Sequence, residues 1–358
     1  MSPARPLDVC LYGLGAIGSA VARAVAADPG FRITGAIDVD PAKAGRDLSA
    51  ILKVRGLDGI RVGADASGVL RQSRPDVVVH STGSRLRQIA AQLEEIIGNG
   101  IPCVTSCEEM AFPEAADAAC ARRLDRLARD QGVALFGAGV NPGFVMDLLV
   151  VALSGATRDV RHIGVERVLD PKTRRGVFQE KVGLGMSRRE ATRRVAEGSM
   201  GHVGLRESAL LVARGMGWDI TDIDEKIRVL SGDDKPRARR RRSPGDPVRG
   251  LEQVLVAREG KTERIRMEMV MSAGVSGPHD AITIKGKPDL NLWIQGGIPG
   301  DQATVACLVN GMRKIVSPPR TGLLTVLDLP PGPGVPPVPV VTGAAEPDRR
   351  THRTARKA

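Results

Sequence analysis

The stretch Gly13-Leu14-Gly15-Ala16-Ile17-Gly18 constrains the fold more than any other part of the chain. It follows the apolar run "DVCLYG" (8–13) and opens "AIGSAVARAVAAD" (16–28), whose apolar residues recur at helical spacing. A strand that turns into a helix through three spaced glycines forms a tight junction. The first glycine permits the turn, the second lets a ligand approach the backbone, and the third lets helix and strand pack closely. The unpaired amides at the helix start then favour an anion. A glycine turn without any ligand is the plain alternative. After a strand and before a helix, the pattern implies a dinucleotide instead.

The next hundred residues repeat the alternation. "RITGAID" (32–38), "DVVVHST" (76–82), "PCVTS" (102–106) and "VALFGAG" (133–139) read as buried strands, separated by helices expected over 41–52, 85–100 and 114–131. Apolar strands alternating with amphipathic helices predict an α/β fold with a doubly wound parallel sheet of the Rossmann type. From about residue 160 the pattern changes to strands with alternating polar residues, such as "HIGVERVLD" (162–170) and "ERIRMEMVMSA" (263–273), which predict a mainly antiparallel sheet in an α+β domain. Helices are expected near 187–197, 203–217 and 301–316. The expected organisation is a cofactor domain over 1–143, a substrate and dimerisation domain over 144–300, and a helix and strand over 301–330 packing back on the first domain. Residues 331–358 read as a disordered, basic, proline-rich tail.

Charge does not overturn this reading. The net charge of +11 is concentrated in "RARRRR" (237–242) and "RRTHRTARK" (349–357), which supply ten basic residues between them. Such runs read as solvated segments, so no specific nucleic-acid partner is expected. No apolar run reaches the roughly 20 residues of a spanning helix, so no membrane partner is expected either. Five cysteines, an odd number without metal-ligand spacing, read as reduced thiols in a cytoplasmic protein with no metal.

The candidate site residues gather at predicted strand ends. Gly13, Leu14, Gly15, Ala16, Ile17 and Gly18 form the cofactor turn. Asp38 lies twenty residues beyond Gly18, where a carboxylate accepts bonds from ribose hydroxyls. That favours NAD over NADP, although Lys43 and Arg46 nearby blur the preference. Ser81, Thr82 and Gly83 end the third strong strand and should border the cofactor; a helix N-cap by Ser81, Thr82 or Ser84 is the plain alternative, and the two roles are compatible. Asn141, in "GVNPGF" (139–144), falls where the first domain yields to the second and should face the cleft between them. The adjacent acids Glu108 and Glu109, in "CEEMAFP" (107–113), are either acid–base groups or caps of the helix that follows them.

These elements, with "GHVGLRES" (201–208), "GPHDAITIKG" (277–286), "GGIPGDQAT" (296–304) and "TGLLTVLDLP" (321–330), occur in the order found in the 2,4-diaminopentanoate dehydrogenases and native NAD(P)H-dependent amine dehydrogenases. From about residue 8 to 330 the chain resembles that family, whose N-terminal domain is similar to that of dihydrodipicolinate reductase. The resemblance implies reversible oxidative deamination of an amine, or reductive amination of a ketone or keto acid with ammonia, using NAD(P)H. It places the catalytic acid/base at Glu108, with Glu109 as second choice. It places Arg167 and His279 against the substrate, with Thr321, Gln179 and His202 as further candidates, and a homodimer is the expected assembly. The segment 233–247 looks longer than the family's usual connection, and "NGMRKIV" (310–316) lacks a proline the family more usually carries after the asparagine. Two other readings compete with this one: a cyclic-imine reductase like dihydrodipicolinate reductase, whose basic His/Lys signature is not found here, and a non-catalytic NAD(P)-binding sensor.

Overall fold

The structure is a computed structural model that describes residues 5–173, 176–232, 247–318 and 320–329. The arginine run at 237–242 and the proline-rich tail lie outside the described residues. The first half runs through β1 (Leu7–Tyr12), α1 (Ala16–Ala26), β2 (Phe31–Ile37), α2 (Leu48–Leu52), β3 (Val62–Gly63) and α3 (Ala66–Ser73). It continues through β4 (Val77–His80), α4 (Leu86–Gly98), β5 (Cys103–Thr105), α5 (Pro113–Asp130) and β6 (Ala134–Gly137). These strands pair in parallel, and β13 (Gly322–Leu324) joins beside β6 to give the order β13-β6-β5-β4-β1-β2-β3.

Both faces of this sheet are covered, which is why its strands read as unbroken apolar runs. Val9 and Leu11 of β1 point to one side, where α1 and α10 (Gly300–Ile315) pack through Val21, Val25, Leu308 and Met312. Cys10 and Tyr12 point to the other side, onto α3, α4 and α5 through Leu70, Leu93 and Leu124. One expectation fails here. The helix predicted over 41–52 shrinks to Leu48–Leu52. Gly45 takes φ +80°, and the Asp47 carboxylate accepts from the amides of Ser49 and Gly59, so local side-chain bonding replaces the first helical turns.

The second unit begins with α6 (Leu148–Ser154) and β7 (Arg158–Leu169), then α7 (Gly176–Lys181), α8 (Arg188–Ala196) and α9 (Leu205–Met216). The strands β8 (Asp222–Ser231), β9 (Val248–Glu259), β10 (Thr262–Ser272), β11 (His279–Lys287) and β12 (Leu290–Gln295) follow. With β7 they form a mixed sheet, β12-β11-β7-β10-β9-β8, in which β10 and β7 run parallel and the other neighbours among the described residues run antiparallel. Its inner face carries Ile163, Val165, Leu255, Met267 and Ile284 against α6 and α9. The opposite face mixes Glu166, Arg266 and Glu268 with Val168, Val270 and the exposed Trp293.

Candidate active site

The carboxyl ends of β4, β5 and β6 open onto a cavity of about 270 Å³ whose far wall belongs to the second unit. Each glycine of the turn has its own reason to be glycine. Gly13 takes φ +92°, and a Cβ there would stand 2.6 Å from the Ser81 carbonyl oxygen. A Cβ on Gly18 would meet the Gly13 carbonyl. A Cβ on Gly15 would meet nothing within 4 Å. Gly13 and Gly18 therefore make the junction, and Gly15 borders open space at the start of α1. Gly15, Ala16 and Ile17 line the cavity, whereas Gly13, Leu14 and Gly18 support it from beneath. A phosphate-bearing cofactor fits this cradle.

Asp38 does not line the cavity. It lies just past β2, and its carboxylate accepts from the Leu14 amide (2.8 Å), the Asp40 amide (2.9 Å) and Lys43 Nζ (3.1 Å). Burial pushes this carboxyl up, but those bonds outweigh it and hold it below the usual carboxylate range. Asp38 thus ties the glycine turn to the end of β2. Ser81, Thr82 and Gly83 do line the cavity. Ser81 Oγ donates to the Gly13 carbonyl, and Thr82 Oγ1 meets the buried His80 and Gln92, so neither caps α4.

That cap comes from Glu109. Its carboxylate is buried, accepts from the Leu86 amide at 2.7 Å and pairs with Arg85 Nη1 at 2.9 Å. The expectation that these acids cap the following helix needs correcting, because Glu109 serves α4, a helix that precedes it in the chain. Glu109 is absent from the cavity wall. Glu108, one residue earlier in the same 3-10 turn (Glu108–Ala111), is half-buried and lines the cavity. The adjacent Cys107 also lines it, with a thiol pushed by burial up to about 12, so it stands there as an uncharged group.

Asn141 lines the cavity beside cis-Pro142. Its Nδ2 points to Met269 Sδ at 3.7 Å, while its buried Oδ1 has no partner among the described residues. The loop is fixed by Asp147, whose fully buried carboxylate accepts from the amides of Gly143 and Leu148 and from Ser208 Oγ of α9. Burial raises Asp147 above its usual range, and these three bonds oppose the shift. The second unit contributes Arg167, Phe178, Lys181, Val182, His202, Met269 and Met271. His202 Nε2 is buried without a partner among the described residues. Burial, then the charges of Arg167 and Lys181, push its pKa down to about 3, so the ring is neutral at ordinary pH.

Register decides the fate of two expected substrate residues. Arg167 pairs across the ladder with Asp280, and His279 with Val168. Successive strand residues alternate faces, so Asp280 shares Arg167's inner face and His279 turns outward. Arg167 Nη1 lies 3.0 and 3.1 Å from the two Asp280 oxygens, and Nη2 donates to the Ile298 carbonyl at 2.6 Å. Arg167 lines the cavity with its charge already matched. His279 stacks on Trp293 with ring centroids 3.7 Å apart and does not line it, contrary to expectation. Nor do Gln179, in α7, or Thr321, which enters β13 at the edge of the first sheet. Lys181, Met269, Met271, Asp301 and Thr304 line it without having been singled out. Only "GDQAT", quoted for its order along the chain, pointed toward the last two.

Comparisons with known proteins bear on the family and the fold. Residues 144–335 match the model of the 2,4-diaminopentanoate dehydrogenase C-terminal domain. The 2,4-diaminopentanoate dehydrogenase of Acetoanaerobium sticklandii is 30% identical over 341 residues, covering 90% of this chain and 93% of that protein. The structure of an amine dehydrogenase from Mycobacterium smegmatis superposes with a TM-score of 0.77 at 25% identity, covering 90% of this chain and 96% of that one. A Bordetella pertussis dehydrogenase solved with NADH and UDP-GlcNAcA shares the fold, at a TM-score of 0.52 and 17% identity over 89% of this chain and 91% of that one. Matched over more than half its length by the family model and over nine-tenths by a curated relative, the chain belongs to the 2,4-diaminopentanoate dehydrogenase family.

Proposed function

We propose that the protein is an NAD(P)-dependent amine dehydrogenase, interconverting an amine with a ketone or keto acid and ammonia, with Glu108 as its proton-transfer group. The observation that carries this reading is the presence of Glu108 in the same cavity wall as the start of α1. Gly15, Ala16 and Ile17 would hold the pyrophosphate at the helix N-terminus, and the Ser81–Gly83 turn would border the ribose. A bound nicotinamide supplies or accepts the hydride. Glu108 holds ammonium by its charge, takes a proton as ammonia adds to the carbonyl, and returns one to the departing hydroxyl as water leaves. The Asn141 Oδ1, an acceptor without a partner among the described residues, orients an N–H of the amine or of the carboxamide.

The cofactor preference proposed is for NAD, since Asp38 brings a carboxylate to the end of β2 where a 2′-phosphate would be repelled. The assembly proposed is a homodimer through the outer face of the mixed sheet, which presents Trp293 at 61% exposure. A cytoplasmic location suits five cysteines that stand as free thiols. Among the described residues, no helix is long and apolar enough to cross a membrane.

The test is NADH oxidation with ammonia and assorted ketones and keto acids. Glu108→Gln should lower kcat by roughly 10²- to 10⁴-fold with NADH binding retained, because the amide is nearly isosteric but exchanges no proton. The ratio of kcat/KM for NADH over NADPH is expected above one. Normal turnover by Glu108→Gln would move the proton shuttle to another residue.

A further inference from the structure

His80 is the last residue of β4, wholly buried, and proton transfer by Glu108 makes no direct use of it. In register it lies between Tyr12 of β1, whose ring meets it edge-on with centroids 5.3 Å apart, and Thr105 of β5. Burying an imidazole is costly unless its nitrogens find partners. Nδ1 lies 2.9 Å from Thr105 Oγ1, and Nε2 lies 2.8 Å from Gln92 Oε1 of α4 and 2.9 Å from Thr82 Oγ1. Thr82 Oγ1 also donates to Gln92 Oε1 at 2.6 Å. A core histidine with satisfied nitrogens is the plain reading, but the partners of this one lead to the cavity in two directions. Thr82 lines it, and Thr105 Oγ1 accepts from the Cys107 amide at 3.2 Å, just before the turn that bears Glu108.

The direction of these bonds is set from one end. A backbone amide only donates, so Thr105 Oγ1 accepts from Cys107, and its own buried hydrogen has Nδ1 as acceptor. Nδ1 is then bare, and Nε2 carries the proton. With the Gln92 amide turned round, Nδ1 would carry it, and the Thr105 hydroxyl would have no acceptor among the described residues. Burial, opposed by the bond to Gln92, pushes the His80 pKa down to about 4, so the ring is neutral at ordinary pH. Thr82 Oγ1 thus commits its hydrogen to Gln92 and one lone pair to the Nε2 proton, and a second lone pair remains.

We propose that His80 is a positioning residue for the cofactor: with Gln92 it presets the Thr82 hydroxyl as an acceptor, which receives a donating ribose hydroxyl of the dinucleotide. This rests on the nicotinamide half of the amine-dehydrogenase reading and specifies how that wall of the site is held. A free hydroxyl presents its hydrogen as readily as its lone pairs and loses that freedom on binding, whereas a preset one has lost it beforehand. Through Thr105 the same ring anchors the segment leading into the Glu108 turn, so the cofactor turn and the proton-transfer turn share one buried imidazole.

The tautomer is read first, by nitrogen NMR of the labelled, cofactor-free protein, with His80 assigned through its contact with Tyr12, the chain's one tyrosine. Near neutral pH the proton should be on Nε2, and a proton on Nδ1 overturns the proposal. NADH binding is then followed by cofactor fluorescence in a double-mutant cycle of His80→Asn and Thr82→Val. Asparagine keeps an oxygen for the Thr105 hydroxyl but puts nothing in place of Nε2–H. Each single variant should weaken NADH binding roughly 3- to 10-fold, the range for one hydrogen bond, and the double variant no more than Thr82→Val alone. Additive losses, or undiminished affinity in His80→Asn, overturn the proposal. Gln92→Met, outside the cavity wall, removes the acceptor of the Thr82 hydrogen while leaving the ring in place, and its cycle with Thr82→Val decides the matter should His80→Asn not fold. Wild type that binds NADH yet turns over neither ketone nor amine would sink the amine-dehydrogenase reading and leave the cycle to decide this one. Wild type that binds neither NADH nor NADPH overturns both.

Discussion

Glu207 shows how much of the molecule's behaviour rests on single side chains that local sequence does not flag. It sits in the first turn of α9 at 6% exposure, near Glu109 and Glu225. Burial, assisted by those two acids and opposed by its own backbone amide, pushes its carboxyl up to about 7. An acid whose folded pKa exceeds its unfolded value is disfavoured in its ionised form by folding. The cost is absent below the unfolded carboxylate range, grows as pH rises from about 4.5 toward 7, and is complete above it. Glu207→Gln should therefore stabilise the protein at pH 8, by up to about 3 kcal/mol, and change little at pH 4. Denaturant unfolding at both pH values checks this, and equal effects at both would deny the buried charge its role. Nothing in "GLRESALL" marks Glu207, because its neighbours come from β8 and from the loop after β5. Glu108 was legible for the opposite reason, since the end of a buried strand and the family's order both pointed to it.

Among the elements, α9 does the joining. Its Ser208 holds Asp147, its Arg214 pairs with Glu114 at 3.1 Å and lies over the Phe112 ring, and Gly204 at its start abuts Pro142. One helix of the second unit thus braces both the loop bearing Asn141 and the segment just after Glu108. Gly204 has φ +119°, and a Cβ there would stand 2.3 Å from Pro142 Cδ, on a ring that cannot turn away. Gly204→Ala should destabilise by roughly 1–3 kcal/mol and depress turnover more than NADH binding. Gly176→Ala, where a Cβ meets nothing within 4 Å, is the control. Thermal unfolding and single-cofactor titrations read the two effects, and a Gly204→Ala enzyme of normal rate would show the loop to be held by other contacts. Apart from the helix expected over 41–52, strand and helix positions were readable because each depends on its own periodicity. The faces of β11 were not, because which of His279 and Asp280 turns inward depends on pairing with β7, more than a hundred residues earlier.

For the molecule as a whole, the two sheets were legible in outline because a doubly buried parallel sheet and a half-covered mixed one differ in apolar pattern. The cavity between them was legible only on its first-sheet wall. The other wall is built by α7, the 201–203 turn and β10, which meet there through packing that no local spacing encodes. The return of the chain to its starting sheet makes a prediction at this level. A chain ending at residue 329 keeps β13 and should unfold with the wild-type midpoint. A chain ending at residue 320 lacks β13 and should lose much of its soluble yield, which size-exclusion chromatography would show. Equal yields would make β13 an ornament of the sheet.

That return also sets a timetable for synthesis. Strands β1 to β6 emerge from the ribosome within the first 137 residues, but β6 remains an open edge until Leu324 has been added. For the whole interval in which the second unit is translated, a row of unpaired backbone groups along Ala134–Gly137 is available to other chains. The protein is therefore most exposed to mispairing and chaperone capture midway through its birth. Slowing elongation over residues 138–324 should lengthen that window, and hastening release after it should have little effect.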